Sequence, residues 1–195
     1  SLLFLTDYPM PFNLPNLLTW LRIFAIPLFV GIFYIPGLSP FGQNLVATII
    51  FSVAAITDWL DGYLARTLNQ TSAFGAFLDP VADKLMVAAA LIILLHLERL
   101  DAPIALIIIG REITVSALRE WMAQIGKAKS VAVSFMGKIK TTAQMIAIPL
   151  LLYHETIGES FNSHLVGTWF IYLAALLTLW SMIYYLKAAI PHALK

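Results

Sequence analysis

The sequence contains no cysteine, and only 12% of its 195 residues are charged. The missing thiols exclude disulfide bonds and metal sites built on thiolates. Soluble domains average about 25% charged residues, so this chain, with 60% hydrophobic residues, is not an ordinary soluble domain. Its formal net charge of +1 gives no sign of a basic surface for nucleic acid. These properties point to a membrane protein.

Long apolar runs make up most of the chain, and several approach the roughly 20 residues that a helix needs to cross a bilayer. There is no internal repeat, low-complexity tract or linker, which predicts one membrane domain over residues 10–195. Met10 resembles a natural start, so residues 1–9 are expected to be a remnant or an N-terminal extension. We predict an all-α polytopic protein with about six transmembrane helices, at Leu14–Ile35, Asn44–Leu64, Phe74–Leu95, Pro103–Met122, Ile139–Tyr153 and Leu165–Leu186.

Lysine and arginine are distributed unevenly around these six runs. With six spans, one side of the membrane holds both termini and the loops after the second and fourth spans, and nearly all the basic residues belong to that side. The loops Pro36–Gln43 and His154–Ser163 on the other side contain neither Lys nor Arg. The positive-inside rule therefore predicts a multi-pass protein with both termini in the cytoplasm.

Four aspartates interrupt this apolar pattern within "ITDWLDGYLARTLNQTSAFGAFLDPVADKL", residues 56–85. Asp58 and Asp61 are three residues apart and share a helix face, and Asp79 and Asp83 are one turn apart on the next helix. Pro80 either begins that helix, with Asp79 as its cap, or kinks it. One interpretation is that the aspartates cap helices and face water at the interface. Four together favour a function, because carboxylates within a membrane are costly and usually functional.

Converging carboxylates repel one another unless a cation lies among them. Oxygen ligands without His or Cys select hard divalent ions, Mg²⁺ or Mn²⁺. Four carboxylates suffice for a two-ion site of the kind that serves displacement at phosphorus. The residues thus favour metal-dependent phosphoryl or phosphatidyl transfer. Cation transport is the alternative, but it predicts acidic residues spread across the membrane or repeated in inverted halves.

The spacing of these residues also resembles a known signature. Asp58-x-x-Asp61-Gly62-x-x-Ala65-Arg66, eight residues, then Gly75-x-x-x-Asp79-x-x-x-Asp83 resembles that of the CDP-alcohol phosphatidyltransferases. The segments "FGAFLDPVADKL", "GREITVSALREWMA" and "SVAVSFMGKIKTTAQM" are similar to bacterial members of this family that use glycerol 3-phosphate. The similarity runs from about Asn13 to Tyr185.

This resemblance implies an enzyme of the bacterial inner membrane, with its active site at the cytoplasmic face. It would transfer a phosphatidyl group from CDP-diacylglycerol to sn-glycerol 3-phosphate, releasing CMP, in the synthesis of phosphatidylglycerol and cardiolipin. A homodimer is also expected from the family. Another acceptor alcohol, inositol phosphate or phosphatidylglycerol, is the alternative within the family.

The resemblance assigns roles to individual residues. Asp58, Asp61, Asp79 and Asp83 would hold two divalent ions, Mg²⁺ or Mn²⁺, and Asp83 would also be the catalytic base that takes the acceptor's proton. The CDP-diacylglycerol site would comprise Asn16, Thr19, Gly62, Ala65, Arg66 and Ser72. Asn16 and Thr19 share one side of the first helix with Arg22. The alternative there is a cytoplasmic anchor whose arginine reaches up to the interface.

A group of basic residues is predicted to bind the phosphate of the acceptor. Arg111 interrupts the fourth span, and Lys138 and Lys140 lie at the start of the fifth. Two lysines two residues apart on a helix diverge by about 200°, so only a loop or first-turn geometry would bring both to one anion. The alternatives are an ion pair of Arg111 with Glu112, and lysines that only set the topology.

Overall fold

The computed structural model describes residues 14–67, 73–126, 135–158 and 160–193. Residues 1–9 lie outside these ranges. One helix occurs at each of the six predicted apolar runs, and each extends beyond the predicted bounds at one end or both, apart from the first run. The helices are α1 (Leu14–Gly31), α2 (Pro40–Thr67), α3 (Ala73–His96), α4 (Ala102–Gln124), α5 (Phe135–Tyr153) and α6 (Ser163–Ala193). A short 3-10 helix, Ile32–Tyr34, follows α1.

Two helix starts show why these segments begin where they do. Ser39 precedes α2, and its Oγ accepts a hydrogen bond from the backbone N–H of Gly42 at 3.1 Å. Asn162 does the same for α6, its Oδ1 accepting from the N–H of Leu165 at 3.1 Å. Such caps satisfy backbone donors that have no partner inside the helix.

Within the described part of the chain, three helical segments are long and apolar enough to cross a membrane, over Leu17–Tyr34, Pro40–Leu60 and Ser163–Pro191. α3 is not among them, because its first half carries Asp79, Asp83 and Lys84. Pro80 lies within α3, so α3 does not begin there and Asp79 is not its cap.

The larger core cluster lies between the helices, and one of its members, Val87, also lines the cavity that contains the aspartates. Phe29, Phe51, Leu94, Ile108 and Ile148 are among its most deeply buried side chains. Arg99 lies at the edge of this core, and its guanidinium donates to the carbonyls of Leu151 (3.3 Å) and Leu152 (2.9 Å) and to Asn44 Oδ1 (2.9 Å). It thereby ties the C-terminal end of α5 to α2.

The connection between α5 and α6 contains a small hairpin that the sequence reading did not predict. β1 (Thr156–Ile157) pairs antiparallel with β2 (Phe161–Asn162), with Thr156 opposite Asn162 and Ile157 opposite Phe161. After this hairpin, α6 packs along α5.

Candidate active site

Three of the four predicted aspartates line one cavity of about 390 Å³. Asp58 lies in the last third of α2, and Asp79 and Asp83 lie one turn apart on α3. Because these consecutive helices pack together, carboxylates that are far apart in sequence meet at one cavity. Asp61 lies on α2, but its side chain is outside the described part of the structure.

α1 supplies polar partners for two of these carboxylates. Arg22 Nη1 donates to Asp58 Oδ1 at 2.7 Å, and the Arg22 side chain is 1% exposed while that of Asp58 is 40% exposed. Thr19 is buried, and its Oγ1 donates a hydrogen bond to Asp79 Oδ1. A buried guanidinium is costly without a carboxylate partner. Arg22 is therefore an interior residue that holds Asp58 and not a membrane anchor.

Basic side chains line the other part of the same cavity. They come from α3, α4 and α5 and are Lys84, Arg111, Arg119 and Lys140. Arg111 and Lys140 are buried. We call the aspartates of α2 and α3 the acidic end of the cavity, and Arg111, Arg119 and Lys140 of α4 and α5 its basic end. Lys84 lies next to Asp83 on α3.

Glu112 organises the basic end. Its Oε1 accepts from Arg111 Nη1 at 3.0 Å and also from Lys140 Nζ. The ion pair considered as the alternative for Arg111 is thus present, and Arg111 lines the cavity as well. One carboxylate shared by two buried cations leaves a net positive charge, which suits the binding of an anion.

α6 completes the wall with Tyr185, which is fully buried. The guanidinium carbons of Arg111 and Arg119 lie 5.5 and 5.2 Å from the centre of its ring. Arg119 Nη2 donates to the Tyr185 hydroxyl at 2.8 Å, and Arg111 Nη2 donates to Ser181 Oγ at 3.3 Å. Contacts of this kind are attractive and fix the planes of both guanidinium groups.

Lys138 does not belong to this cavity. It is exposed and lines a separate surface groove with Ile139 and Thr142. Both lysines lie within α5, so the helix directs them to different sides, and only Lys140 reaches the cavity. Of the predicted acceptor residues, the structure brings together Arg111 and Lys140 but not Lys138.

Sequence reasoning gave no site role to Lys84, Arg119 and Tyr185. Arg119 follows Arg111 by eight residues, which places both within about 80° on one helix face, and that spacing could have indicated a shared role. Tyr185 carries no comparable signal, because it lies among the many aromatic residues of α6.

Of the residues predicted to contact the nucleotide, most have side chains that lie outside the described part of the structure. Asn16 lies on α1, and Gly62, Ala65 and Arg66 lie on α2, all with side chains outside the description. Ser72 lies outside the described residues altogether. Thr19 is the one whose contact is seen, and that contact is with Asp79.

The described residues show no group of three His, Cys, Asp or Glu side chains close enough together to hold a metal ion. Asp58 and Asp79 are instead bonded to Arg22 and Thr19. The metal ligands predicted at the acidic end are nevertheless all carboxylate oxygens, which hard divalent ions prefer. The predicted Mg²⁺ or Mn²⁺ ions fit this donor set in chemistry.

Comparison with known proteins agrees with the signature. The model of the family described as CDP-alcohol phosphatidyltransferase matches residues 12–180. The chain belongs to this family. Proteins from Shigella flexneri serotype 5b (strain 8401) and Escherichia coli (strain K12) are each 52% identical to it over 184 residues, or 92% of this chain and 96% of the relative. Both are named CDP-diacylglycerol--glycerol-3-phosphate 3-phosphatidyltransferase.

In this chain, the family's signature occupies the end of α2 and the first half of α3. The basic residues come from the segments that follow it. Aspartates of the family signature and basic residues from outside it thus line the same cavity.

Proposed function

We propose that this protein transfers the phosphatidyl group of CDP-diacylglycerol to sn-glycerol 3-phosphate, forming phosphatidylglycerophosphate and CMP. The observation that carries the proposal is the cavity with an acidic end and a basic end. Relatives that are 52% identical over nearly their whole length bear the name of this reaction. The carboxylates suit phosphoryl chemistry, and the cations suit an acceptor that itself carries a phosphate.

The reaction moves one group and one proton. The free hydroxyl oxygen of glycerol 3-phosphate attacks the phosphorus that bears the diacylglycerol, a new P–O bond forms, and the bond from that phosphorus to the oxygen of CMP breaks. The hydroxyl proton passes to the carboxylate of Asp83, which lies in the cavity beside Lys84. A general base of this kind contributes typically 10²–10⁴-fold to the rate.

At the acidic end, Asp58, Asp61, Asp79 and Asp83 would hold divalent ions, Mg²⁺ or Mn²⁺. When bound, such ions neutralise pyrophosphate charge and stabilise a departing phosphate oxygen. Arg22 and Thr19 orient Asp58 and Asp79. Asn16, Gly62, Ala65, Arg66 and Ser72 are proposed to contact the CDP group on the basis of the signature.

At the basic end, Arg111 and Lys140 bind the acceptor's phosphate, and Arg119 extends the positive surface. The planar fork of arginine matches the geometry of a phosphate. Glu112 and Tyr185 hold these cations in place before substrate arrives. The phosphate would thus be held at one end of the cavity and the hydroxyl directed towards Asp83.

The proposed setting is the bacterial inner membrane, crossed six times, with both termini and the active site facing the cytoplasm. The lipid and the water-soluble acceptor can meet there, because the charged cavity lies near one end of the apolar helices. The homodimer implied by the family stays a prediction. A cation path is less well supported, since Asp58, Asp79 and Asp83 line one cavity, whereas Asp101, at the other end of α4, is exposed and bonded to Tyr172.

The test is to offer the purified protein CDP-diacylglycerol with a panel of alcohols and to follow CMP release. The panel contains glycerol 3-phosphate, inositol phosphate, phosphatidylglycerol and unphosphorylated glycerol. We expect release with glycerol 3-phosphate alone, and none from the Asp83→Asn variant. Release that depends on inositol phosphate or phosphatidylglycerol instead would assign the alternative acceptor.

A further inference from the structure

A second cavity, an apolar groove of about 160 Å³, lies between α3 and α4 beside the active-site cavity. Lys84 and Glu112 are its polar lining residues, and the others are aliphatic, among them Ala88 and Ile109. Two of the aliphatic residues at its edge, Leu85 and Ile113, are 50% and 65% exposed. The groove is therefore open at the outer surface of the helices.

The groove adjoins the proposed site. Lys84, Val87 and Glu112 line both the groove and the active-site cavity. Lys84 also donates a hydrogen bond to Ser116 Oγ, which joins α3 to α4 at this level. A molecule bound in the groove would thus have one end at the charged cavity.

The polarity of the groove changes along its length. α3 and α4 are joined by a short turn and run antiparallel. One turn beyond Lys84 along α3 lies Ala88, and nearly one turn before Glu112 along α4 lies Ile109. The lining therefore passes from charged beside the cavity to aliphatic farther away, which is the order of polarity along a phospholipid from headgroup to tail.

We propose that this groove binds one acyl chain of CDP-diacylglycerol while the CDP headgroup occupies the cavity. This inference rests on the proposed function. A lipid tail is already in an apolar medium before it binds, so burying it in the groove adds little binding free energy. The groove contributes mainly by fixing the position of the substrate. It places the phosphorus over the carboxylates, and its open side admits the lipid from the bilayer without lifting the chain through water.

The test fills the far end of the groove and compares substrates of two chain lengths. Ala88→Trp and Ile109→Trp place an indole where the tail would lie. Leu106→Trp is the matched control, because Leu106 is on the same helix as Ile109, is 73% exposed and does not line the groove. Each variant is assayed for kcat/KM with dioleoyl and with dihexanoyl CDP-diacylglycerol in detergent micelles.

We expect the groove variants to lose roughly tenfold to a hundredfold with the dioleoyl substrate, since a displaced headgroup misplaces the reacting phosphorus. The dihexanoyl substrate, whose chains are too short to depend on being held along the groove, should lose much less. Leu106→Trp should have the kcat/KM of the unmodified protein with both substrates. Equal effects on the two chain lengths, or no effect on either, would overturn the groove assignment while leaving the proposed function intact.

A binding measurement that does not depend on turnover completes the test. CDP-diacylglycerol with a diazirine close to the carbonyl end of one acyl chain is photocrosslinked to the protein, and the modified residues are mapped by mass spectrometry. Labels should concentrate on α3 and α4 around Ile109 and fall in Ala88→Trp. Labels centred on α6 would contradict the proposal. So would a groove variant that changes the oligomeric mass but shows no chain-length effect, and that result would assign the groove to a second copy of the chain. Loss of activity with both substrates in the unmodified protein would refute the proposed function itself.

Discussion

Lys138 and Lys140 are two residues apart on α5, and only Lys140 reaches the active-site cavity. Its ammonium group is buried and bonded to Glu112, whereas Lys138 is exposed on another side of the helix. The difference arises because both lie within regular helix, where a separation of two residues reverses the direction of a side chain. Binding of the acceptor's phosphate should therefore depend on one lysine and not on the other.

Lys140→Gln should raise the KM for glycerol 3-phosphate about tenfold to a hundredfold. The reason is the loss of a charge-assisted contact, about 1.5–3 kcal/mol. Lys138→Gln is the matched control and should change this KM less than about threefold, the size of a weak exposed charge effect. Steady-state kinetics with CDP-diacylglycerol at saturation measures both. Equal increases for the two variants would mean that Lys140 does not contact the acceptor.

Individual contacts were the part of the site that sequence could predict least. The signature spacing predicted the aspartates, but it could not show that Arg22 would bind Asp58 from 36 residues away. That pairing depends on how α1 packs against α2, which no local pattern encodes. Lys84 and Arg119 were read only as charges that set topology, because a basic residue near a helix end has the same sequence appearance in both roles.

Helices were easier to predict, since a membrane-spanning run has a characteristic length and composition. All six runs contain helices, but hydropathy could not decide whether Pro80 begins α3 or lies inside it. In the structure Pro80 lies inside α3, about two turns after Ala73. The hairpin between α5 and α6 was missed because each of its strands has only two residues.

α5 and α6 approach each other closely at Gly167. A Cβ added there would lie 2.9 Å from Leu151 Cγ and 3.1 Å from the Leu151 backbone nitrogen. The backbone of α5 cannot move away without disturbing the helix pair, so the position needs a residue without a side chain.

Gly167→Ala should lower stability by about 1–3 kcal/mol, the usual cost of overpacking a tight interface. Gly110→Ala is the control, because a Cβ at Gly110 meets nothing within 4 Å. That change should leave stability unchanged or raise it by up to about 1 kcal/mol, since alanine favours helix over glycine. Thermal unfolding in detergent, followed by circular dichroism, ranks the two. A Gly167→Ala protein as stable as the control would show that the two helices are less closely packed.

His154, which directly follows α5, is expected to make stability depend on pH. Burial, together with the positive charge of Arg99 and the neighbouring His164, lowers the pKa of His154 below its usual 6.5. The two imidazole rings lie 4.5 Å apart. The folded protein thus binds the proton less readily than the unfolded chain, so the contribution to stability is complete above about pH 6.5 and falls as the pH drops below it.

His154→Asn should reduce the loss of stability between pH 7.5 and pH 5.5. Asparagine tolerates the positive φ of this position, 55° in the structure, and does not titrate in this range. Melting temperatures of the two proteins at several pH values give the comparison. Parallel pH profiles would show that His154 makes no contribution to the acid sensitivity.

At the scale of the whole molecule, the charged cavity and Arg99, with its partners Asn44, Leu151 and Leu152, lie towards opposite ends of the helices. α4 runs from Asp101, near Arg99, to its last turns, where Arg119 lines the cavity. The proposed topology assigns the cavity end to the cytoplasm. That assignment is testable without activity, because the chain has no cysteine of its own.

Single cysteines at Gln124 and Thr156 should report the two faces of the membrane. Both residues are exposed and lie outside the proposed spans. In intact cells, a membrane-impermeant maleimide should label Thr156→Cys, and Gln124→Cys should label only after the inner membrane is permeabilised. The reverse pattern would place the cavity on the periplasmic side and contradict the proposed orientation.

The central claim is that the two ends of one cavity have different roles, and kinetics with both substrates tests it most directly. Arg111→Gln should raise the KM for glycerol 3-phosphate about tenfold to a hundredfold and leave that for CDP-diacylglycerol nearly unchanged. Asp83→Asn should instead collapse kcat, because it removes the proposed base. If Arg111→Gln weakens the binding of both substrates equally, the basic end does not hold the acceptor, and Arg111 serves only as the packing partner of Glu112.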